Sequence, residues 1–495
     1  MNLHTFARIS IWASLVGASF VSGCSGSSSE LTQPDPSDEP AGRSELAVTQ
    51  EGTFTNPLRV PPVMARTATA NASAAATTLA AYNLTIKSGT AQMKAGNPTP
   101  IVGFDGIFPG PTLVVERGET TTVTQTNAWN ENVTIHNHGH KVAAESDGHP
   151  VDYITPGSSK VYTYPNDQPA GTFWYHDHTM DLTGAHVYNG LAGFYIIHDA
   201  AEDALNLPSG DYDIPLLLQD KQFNADNTLT YTSQAGGFLG NTPVANGVAN
   251  AVHNVANRKY RLRLLNGSDV RLWNLELRAG TTPQTFQVIS SDGGLLQAPV
   301  STTSLSIAPG ERYDIVVDFA PHPVGTTLSL FNTDATAPAI STLMQFTVNR
   351  TETDTSTVPN TLATIARYAE ADSTGSANIA LAFANGNWQL NGLTYDPARI
   401  DITSPSNAVR IWTLTNNSGA MHPFHKHLVE FNVLDINGQP PPAHQNGLKD
   451  TVQVPGRGTV RIIFKNEGFT GTYVFHCHRL GHEDHRMMLQ ESVTP

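Results

Sequence analysis

Cysteine is all but missing from this chain: Cys24 and Cys477 are the only two in 495 residues. That excludes a scaffold stapled by disulfides. Charge is sparse at 14%, and it leans acidic, with a formal net charge of -15. A nucleic-acid-binding face needs clustered basic residues, so that class of partner is excluded. Beyond the N-terminus, no apolar run approaches the ~20 residues of a membrane-spanning helix. Methionine is scarce as well, with 8 residues scattered along the chain.

Turn-forming residues are abundant, with 40 Gly and 32 Pro. Frequent punctuation with little charge suits an all-β protein, and the length predicts about three domains. The N-terminus has the order of an export signal: Arg8, then the apolar run ISIWASLVGASF, then VSGC at Val21 to Cys24. VSGC resembles the lipobox of bacterial lipoproteins, whose cysteine is lipidated and becomes the mature N-terminus. That resemblance implies a signal peptide over 1–24 and a lipid anchor at Cys24. It places the protein in the cell envelope, on a periplasmic or cell-surface face, with no other membrane attachment. The Ser-, Pro- and acid-rich stretch that follows cannot pack, so within the tether and N-terminal extension 25–75 the part 25–50 is expected to be disordered, and 51–75 is expected to pack along the outside. With Cys24 carrying lipid, Cys477 has no disulfide partner.

The rest of the chain repeats one pattern three times. GTFWYHDH (Gly171 to His178) is matched by GTYVFHCH (Gly471 to His478), and upstream of each lies another His-x-His, in HNHG from His136 and HKHL from His425. A Pro-Gly turn and an alternating strand stand between them, PGSSKVYTY from Pro156 and PGRGTVRIIF from Pro455. The middle third keeps the frame in PGERYDIVVDF from Pro309 but has no His-x-His. Short alternating strands bounded by Gly, Pro and Asn predict antiparallel sandwiches or barrels. Three consecutive β-barrel domains are therefore expected, over 76–204, 205–360 and 361–495, the middle one without metal ligands.

Histidines at i and i+2 of a strand share a face. The pairs His136/His138 and His176/His178 of the first domain can meet His425/His427 and His476/His478 of the last if those domains touch. Eight imidazoles in one crevice imply several metal ions, because one tetrahedral ion takes four ligands. Cys477 points to the opposite face from its two neighbours. There it would meet His422 and His482, with Met487 ten residues further on. One thiolate, two imidazoles and a distant thioether make the donor set of blue-copper electron-transfer sites. Met488 competes for the axial place, but the ten-residue spacing favours Met487.

HNHG, WYHDHT, HPFHKHL and HCHRLGHEDHRMM resemble the four copper motifs of the multicopper oxidases, in order and spacing, and the likeness runs from about residue 50 to the C-terminus. YHDHTMDLTGAHVYNGLAGFYIIHD is most similar to the spore-coat laccase and bilirubin oxidase branch. The resemblance implies three cupredoxin-like Greek-key domains and four copper ions. Type 1 copper would be held by His422, Cys477 and His482 with Met487 axial. Type 2 copper would be held by His136 and His425, and the type 3 pair by His138, His176, His178, His427, His476 and His478. Asn137 stands where the family often has tryptophan or leucine, but this is not a ligand position.

The implied activity is one-electron oxidation of phenols, aromatic amines or similar reductants coupled to reduction of O2 to water, which also requires protons. Asp147, nine residues after His138, and Glu483, directly after His482, match the family's acids beside the cluster and are the expected catalytic carboxylates. His485 is read as a surface residue, and His140 and His149 as hydrogen-bonded loop residues. His186, His198, His253, His322 and His444 have no motif partner and are read as structural. Two other functions compete. A cuprous oxidase fits less well, because such relatives carry methionine-rich loops. A non-enzymatic copper-binding electron carrier would have no use for His136, His138, His176 and His178. The physiological substrate and the oligomeric state are not legible.

Overall fold

The computed structural model describes residues 53–66, 68–70 and 79–495. The signal peptide, Cys24 and most of the tether lie outside the described residues. No helix among the described residues is long and apolar enough to cross a membrane.

The strands assemble into six sheets, two for each third of the chain. Runs such as Arg312–Asp318 (RYDIVVD), Val409–Asn416 (VRIWTLTN) and Thr459–Lys465 (TVRIIFK) are rich in the β-branched and aromatic residues that suit a pleated surface. Each pair of sheets encloses its own apolar core: Tyr82, Val115, Val123 and Tyr195 in the first third, and Leu262, Trp273, Ile315 and Phe346 in the second. In the last, Trp412 sits edge-on to Phe464 and Phe475. Part of the expected extension is ordered: Asn56–Pro57 adds a parallel edge strand to Ala251–Ala256 of the middle third, and Val63 bridges to Thr112.

The thirds are joined by buried contacts of two kinds. An apolar cluster brings Phe108 and Trp174 of the first against Leu217 and Leu265 of the second and Leu480 of the third. Fully burying each such side chain contributes about 1.5–3 kcal/mol. Polar contacts add register: Thr172 Oγ1 donates to Asp314 Oδ1 at 2.8 Å and accepts from Arg263 Nη1 at 3.0 Å.

Two strand pairs position the histidines. Ile135–His138 lies antiparallel to Gly171–Asp177, with His136 opposite His176. His422–Lys426 lies antiparallel to Gly471–Cys477, with His425 opposite His476 and Phe424 opposite Cys477. In the second pair, alternation puts His425 and His476 on one face and His422 and Cys477 on the other. A short helix, Leu480–Asp484, then returns His482 toward Cys477.

Candidate metal centre

The two outer sandwiches face each other through their histidines. The rings of His136 and His427 stack with centroids 3.7 Å apart, and so do those of His138 and His425. His178 Nε2 and His476 Nε2 are 3.2 Å apart. All eight imidazoles are buried. Their donor atoms fall into sets close enough to share an ion: His136, His425 and His427; His138, His176 and His478; and His178, His427 and His476.

Five of the eight rings have one nitrogen pinned and the other turned inward. His136 Nδ1 donates to the Asp147 carbonyl at 2.6 Å, His176 Nδ1 to that of Asp177 at 2.8 Å, and His425 Nδ1 to that of Asp450 at 2.9 Å. A carbonyl only accepts, so these contacts fix the proton on Nδ1. His427 Nδ1 is 2.8 Å from Asp147 Oδ2. The Nε2 atoms of His136, His176, His425 and His427 have no hydrogen-bond partner. His138 is inverted: its Nε2 is 2.9 Å from Asp450 Oδ1, and its Nδ1 is the orphan. Buried orphan acceptors cost about 1–3 kcal/mol each, and the arrangement is that of imidazoles whose outer nitrogens are fixed so that the inner ones can bind metal.

The electrostatics agree. Burial, reinforced by neighbouring imidazoles, holds His136, His138, His425, His427 and His478 well below the usual histidine value. Burial brings His176 down to about 3 and His178 to about 4. These rings are neutral at neutral pH, as ligands must be. Burial pushes the Asp147 carboxyl up to about 8. Burial acts upward on Glu483 too, but His178 and His476 outweigh it and hold the group well below the ordinary glutamate value. Glu483 Oε2 is 3.1 Å from His476 Nδ1, and Oε1 is 3.5 Å from His178 Nδ1.

On the other face of the strand pair, Cys477 Sγ lies 3.3 Å from His422 Nδ1 and 3.6 Å from His482 Nδ1, and the two nitrogens are 3.3 Å apart. Ligands of one ion at about 2.0–2.3 Å stand ~3.3–3.8 Å from one another in a tetrahedral shell, so this triangle fits a single metal. Burial pushes the Cys477 thiol up to about 12, so a thiolate here requires a cation beside it. Met487 is fully buried, its carbonyl accepting from Cys477 N at 3.1 Å. Met488 instead packs with Tyr395, Val474 and Met180. Ser418 Oγ is 2.9 Å from His422 Nε2, and Trp388 stacks on His482 at 4.2 Å.

Multicopper oxidase domain signatures match residues 85–202, 212–349 and 357–495, nearly the whole described chain. The chain is a multicopper oxidase. It is 36% identical to a bilirubin oxidase of Albifimbria verrucaria, covering 89% of this chain and 81% of that protein. It is 33% identical to a laccase of Bacillus subtilis, covering 83% of this chain and 94% of the laccase. The crystal structure of a laccase from Pediococcus acidilactici superposes with a TM-score of 0.84 at 31% identity, covering 93% and 98% of the two chains. This multicopper oxidase therefore has the three-domain cupredoxin-like fold, requires copper and is a laccase-like oxidoreductase using oxygen.

Two of the remaining histidines keep the bonded loop position expected of them, and one expected at the surface is more enclosed. His140 is a loop residue whose N–H donates to the Asn137 carbonyl at 3.2 Å, and its ring is enclosed by those of Tyr164, Phe173 and Tyr195. His149 is hydrogen-bonded, 3.1 Å from Gln490 Oε1. His485 is half-buried, with Nδ1 donating to the Gly481 carbonyl at 2.7 Å. Sequence reasoning missed Asp450, Thr451, Ser418 and Trp388 around the ligands of the multicopper oxidase, and Arg312 and Asp292 behind them. Their one visible signal was the charged pair Lys449-Asp450 inside an otherwise uncharged strand region.

Proposed function

We propose that this oxidase takes electrons singly from small phenols or aromatic amines, and that His422, Cys477, His482 and Met487 would hold type 1 copper. His136 and His425 would hold type 2 copper, and His138, His176, His178, His427, His476 and His478 would hold the type 3 pair. The observation that carries this reading is the back-to-back placement of two donor sets on opposite faces of one strand pair, joined through Cys477. Bound copper supplies the one-electron exchange and the four-electron reduction of O2 to water.

The chain's own residues do the rest. The peptide bonds from Cys477 to His476 and His478 give a covalent path one residue long between the two sets. Ser418 and Trp388 hold the rings of His422 and His482, so that little reorganises as the charge changes. Asp147, with its carboxyl at about 8, holds a proton at Oδ1 or Oδ2 at neutral pH beside His136 and His427. Glu483, ionised there, accepts one between His178 and His476. The domains run over 76–204, 205–360 and 361–495, supported by three sheet pairs. The VSGC sequence supports export with a lipid anchor at Cys24.

Oxygen uptake by the copper-loaded protein tests the reading. Uptake is expected with a phenol and an aromatic amine, and a fall of about 100-fold or more in Asp147→Asn and Glu483→Gln with the blue colour retained. Uptake with Cu(I) alone would make it a cuprous oxidase, and uptake with neither would make it a carrier. Full turnover in both carboxylate variants would remove the proton-handling role.

A further inference from the structure

The middle domain holds no histidine of the cluster, yet it carries a dense group of buried charge against it. Arg312, Asp292, Glu311, Lys449 and Asp450 are all fully buried. Three belong to the middle domain, and Lys449 and Asp450 precede the strand Thr451–Val454 of the last. Burying an ion costs several kcal/mol, and a buried pair seldom returns more than it costs. Five together are a poor source of stability, so their placement has another reason.

Arg312 shows what it is. Its Nη1 and Nη2 donate to Asp450 Oδ1 and Oδ2 at 2.7 and 2.6 Å, a bidentate fork. Its remaining donors are spent on carbonyls: Nε to Thr172 at 3.0 Å, Nη1 to Gly310 at 3.1 Å and Nη2 to Asp292 at 3.0 Å. Asp292 grips the same segment from behind, its Oδ2 accepting from the backbone N–H groups of Asp450 and Thr451 at 3.3 and 3.2 Å and from Lys449 Nζ at 3.1 Å. Asp450 is thus held at its side chain and its backbone, and each half touches a histidine. Oδ1 faces His138 Nε2, and the carbonyl accepts from His425 Nδ1. The same turn reaches a third ring: Gly310, at φ +87°, lies so close to His478 that a Cβ there would be 2.8 Å from the ring. On the other side, a Cβ at Gly139 would stand 2.5 Å from Asp450 Oδ2 and 2.7 Å from Arg312 Nη2.

We propose that the turn Pro309–Glu311 of the copper-free domain, with Arg312 at the start of the strand after it, is the jig of the cluster: Arg312 is a positioning residue that, through Asp450, makes His138 present Nδ1 while His425 presents Nε2, and Gly310 sets the plane of His478. The carboxylate is fixed against a rigid planar fork, so its Oδ1 stays on the His138 Nε2 proton. Without the fork, Asp450 can turn and the His138 ring can flip, and then Nδ1 no longer points at its partners. The middle domain is thereby part of the metal site without supplying a ligand.

The inference rests on the copper assignment above, and the test separates the two. Purified wild-type protein, Arg312→Lys, Arg312→Met, Gly310→Ala and the control Arg261→Met are loaded with copper. Arg261 is equally buried and bonded to Asp314 in the same sheet, at 3.0 Å through Nε, but it touches no cluster histidine. Copper is then titrated against a chelator while the blue absorption and the paramagnetic resonance of the non-blue copper are followed. Arg312→Lys and Gly310→Ala should keep the blue absorption and lose about 10–100-fold in affinity at the cluster, with an altered non-blue signal. Arg261→Met should lower the melting temperature and leave both signals intact. Wild-type cluster affinity and signal in Arg312→Lys and Gly310→Ala would overturn the jig. So would losses in Arg261→Met that match those in Arg312→Met. If the wild type itself binds no cluster copper, the copper assignment fails instead.

Discussion

Met487 and Met488 show how one residue of offset divides two jobs. Met488 is opposite His476 in the ladder and packs with Tyr395, Val474 and Met180. Met487 precedes that strand and stays beside Cys477. The redox potential of a Cys-His-His copper depends on its axial ligand. Met487→Leu should raise the potential, whereas Met488→Leu should leave it alone and cost under about 1.5 kcal/mol of stability. Potentiometric titration of the blue band decides it, and a shift in Met488→Leu alone would reverse the assignment. At this scale, the histidines and the cysteine are legible because His-x-His on a strand has a fixed geometric meaning. Asp450, Arg312 and Trp388 are not, because they reach the ligands, directly or through a neighbour, across tens to hundreds of residues, and Ser418, four residues before His422, does so from an irregular loop. No local period encodes such a contact.

Among elements, the alternating strands are readable from their period, and so are the opposite faces taken by Cys477 and its neighbours. The short helices Thr183–Asn189 and Leu480–Asp484 have no periodic signal at 7 and 5 residues, and tertiary packing makes them. Strand Asp213–Phe223 carries a feature its pattern does not announce: Lys221 is fully buried, its Nζ donating to the Tyr188 carbonyl and lying 4.2 Å from the Tyr188 ring centroid. Burial pulls the amine from its ordinary 10.5 down to about 7. Below pH 7 both folded and unfolded chains are charged there, and the folded one carries the whole burial penalty. Between about 7 and 10.5 the unfolded chain binds more protons, so this group makes stability rise with pH, by up to about 1.4 kcal/mol per unit. Lys221→Met removes that term. Its melting temperature relative to wild type should be most favourable at pH 6 and decline toward pH 9; a difference independent of pH would refute the buried-amine account.

For the molecule as a whole, three repeats were legible because the same turn and strand recur, and the interdomain crevice followed from which thirds carry histidine. What could not be read is how the middle domain takes part, since its contribution is a guanidinium, a carboxylate and a glycine without a ligand motif. The claim on which everything depends is that the outer domains share metal across their interface while Cys477 holds another ion behind it. Anomalous X-ray scattering at the copper edge, from crystals of the copper-loaded protein, tests it most directly. The account predicts one peak among His422, Cys477 and His482 and three between residues 136–178 and 425–478; a lone peak at Cys477, with none among the eight imidazoles, would contradict it.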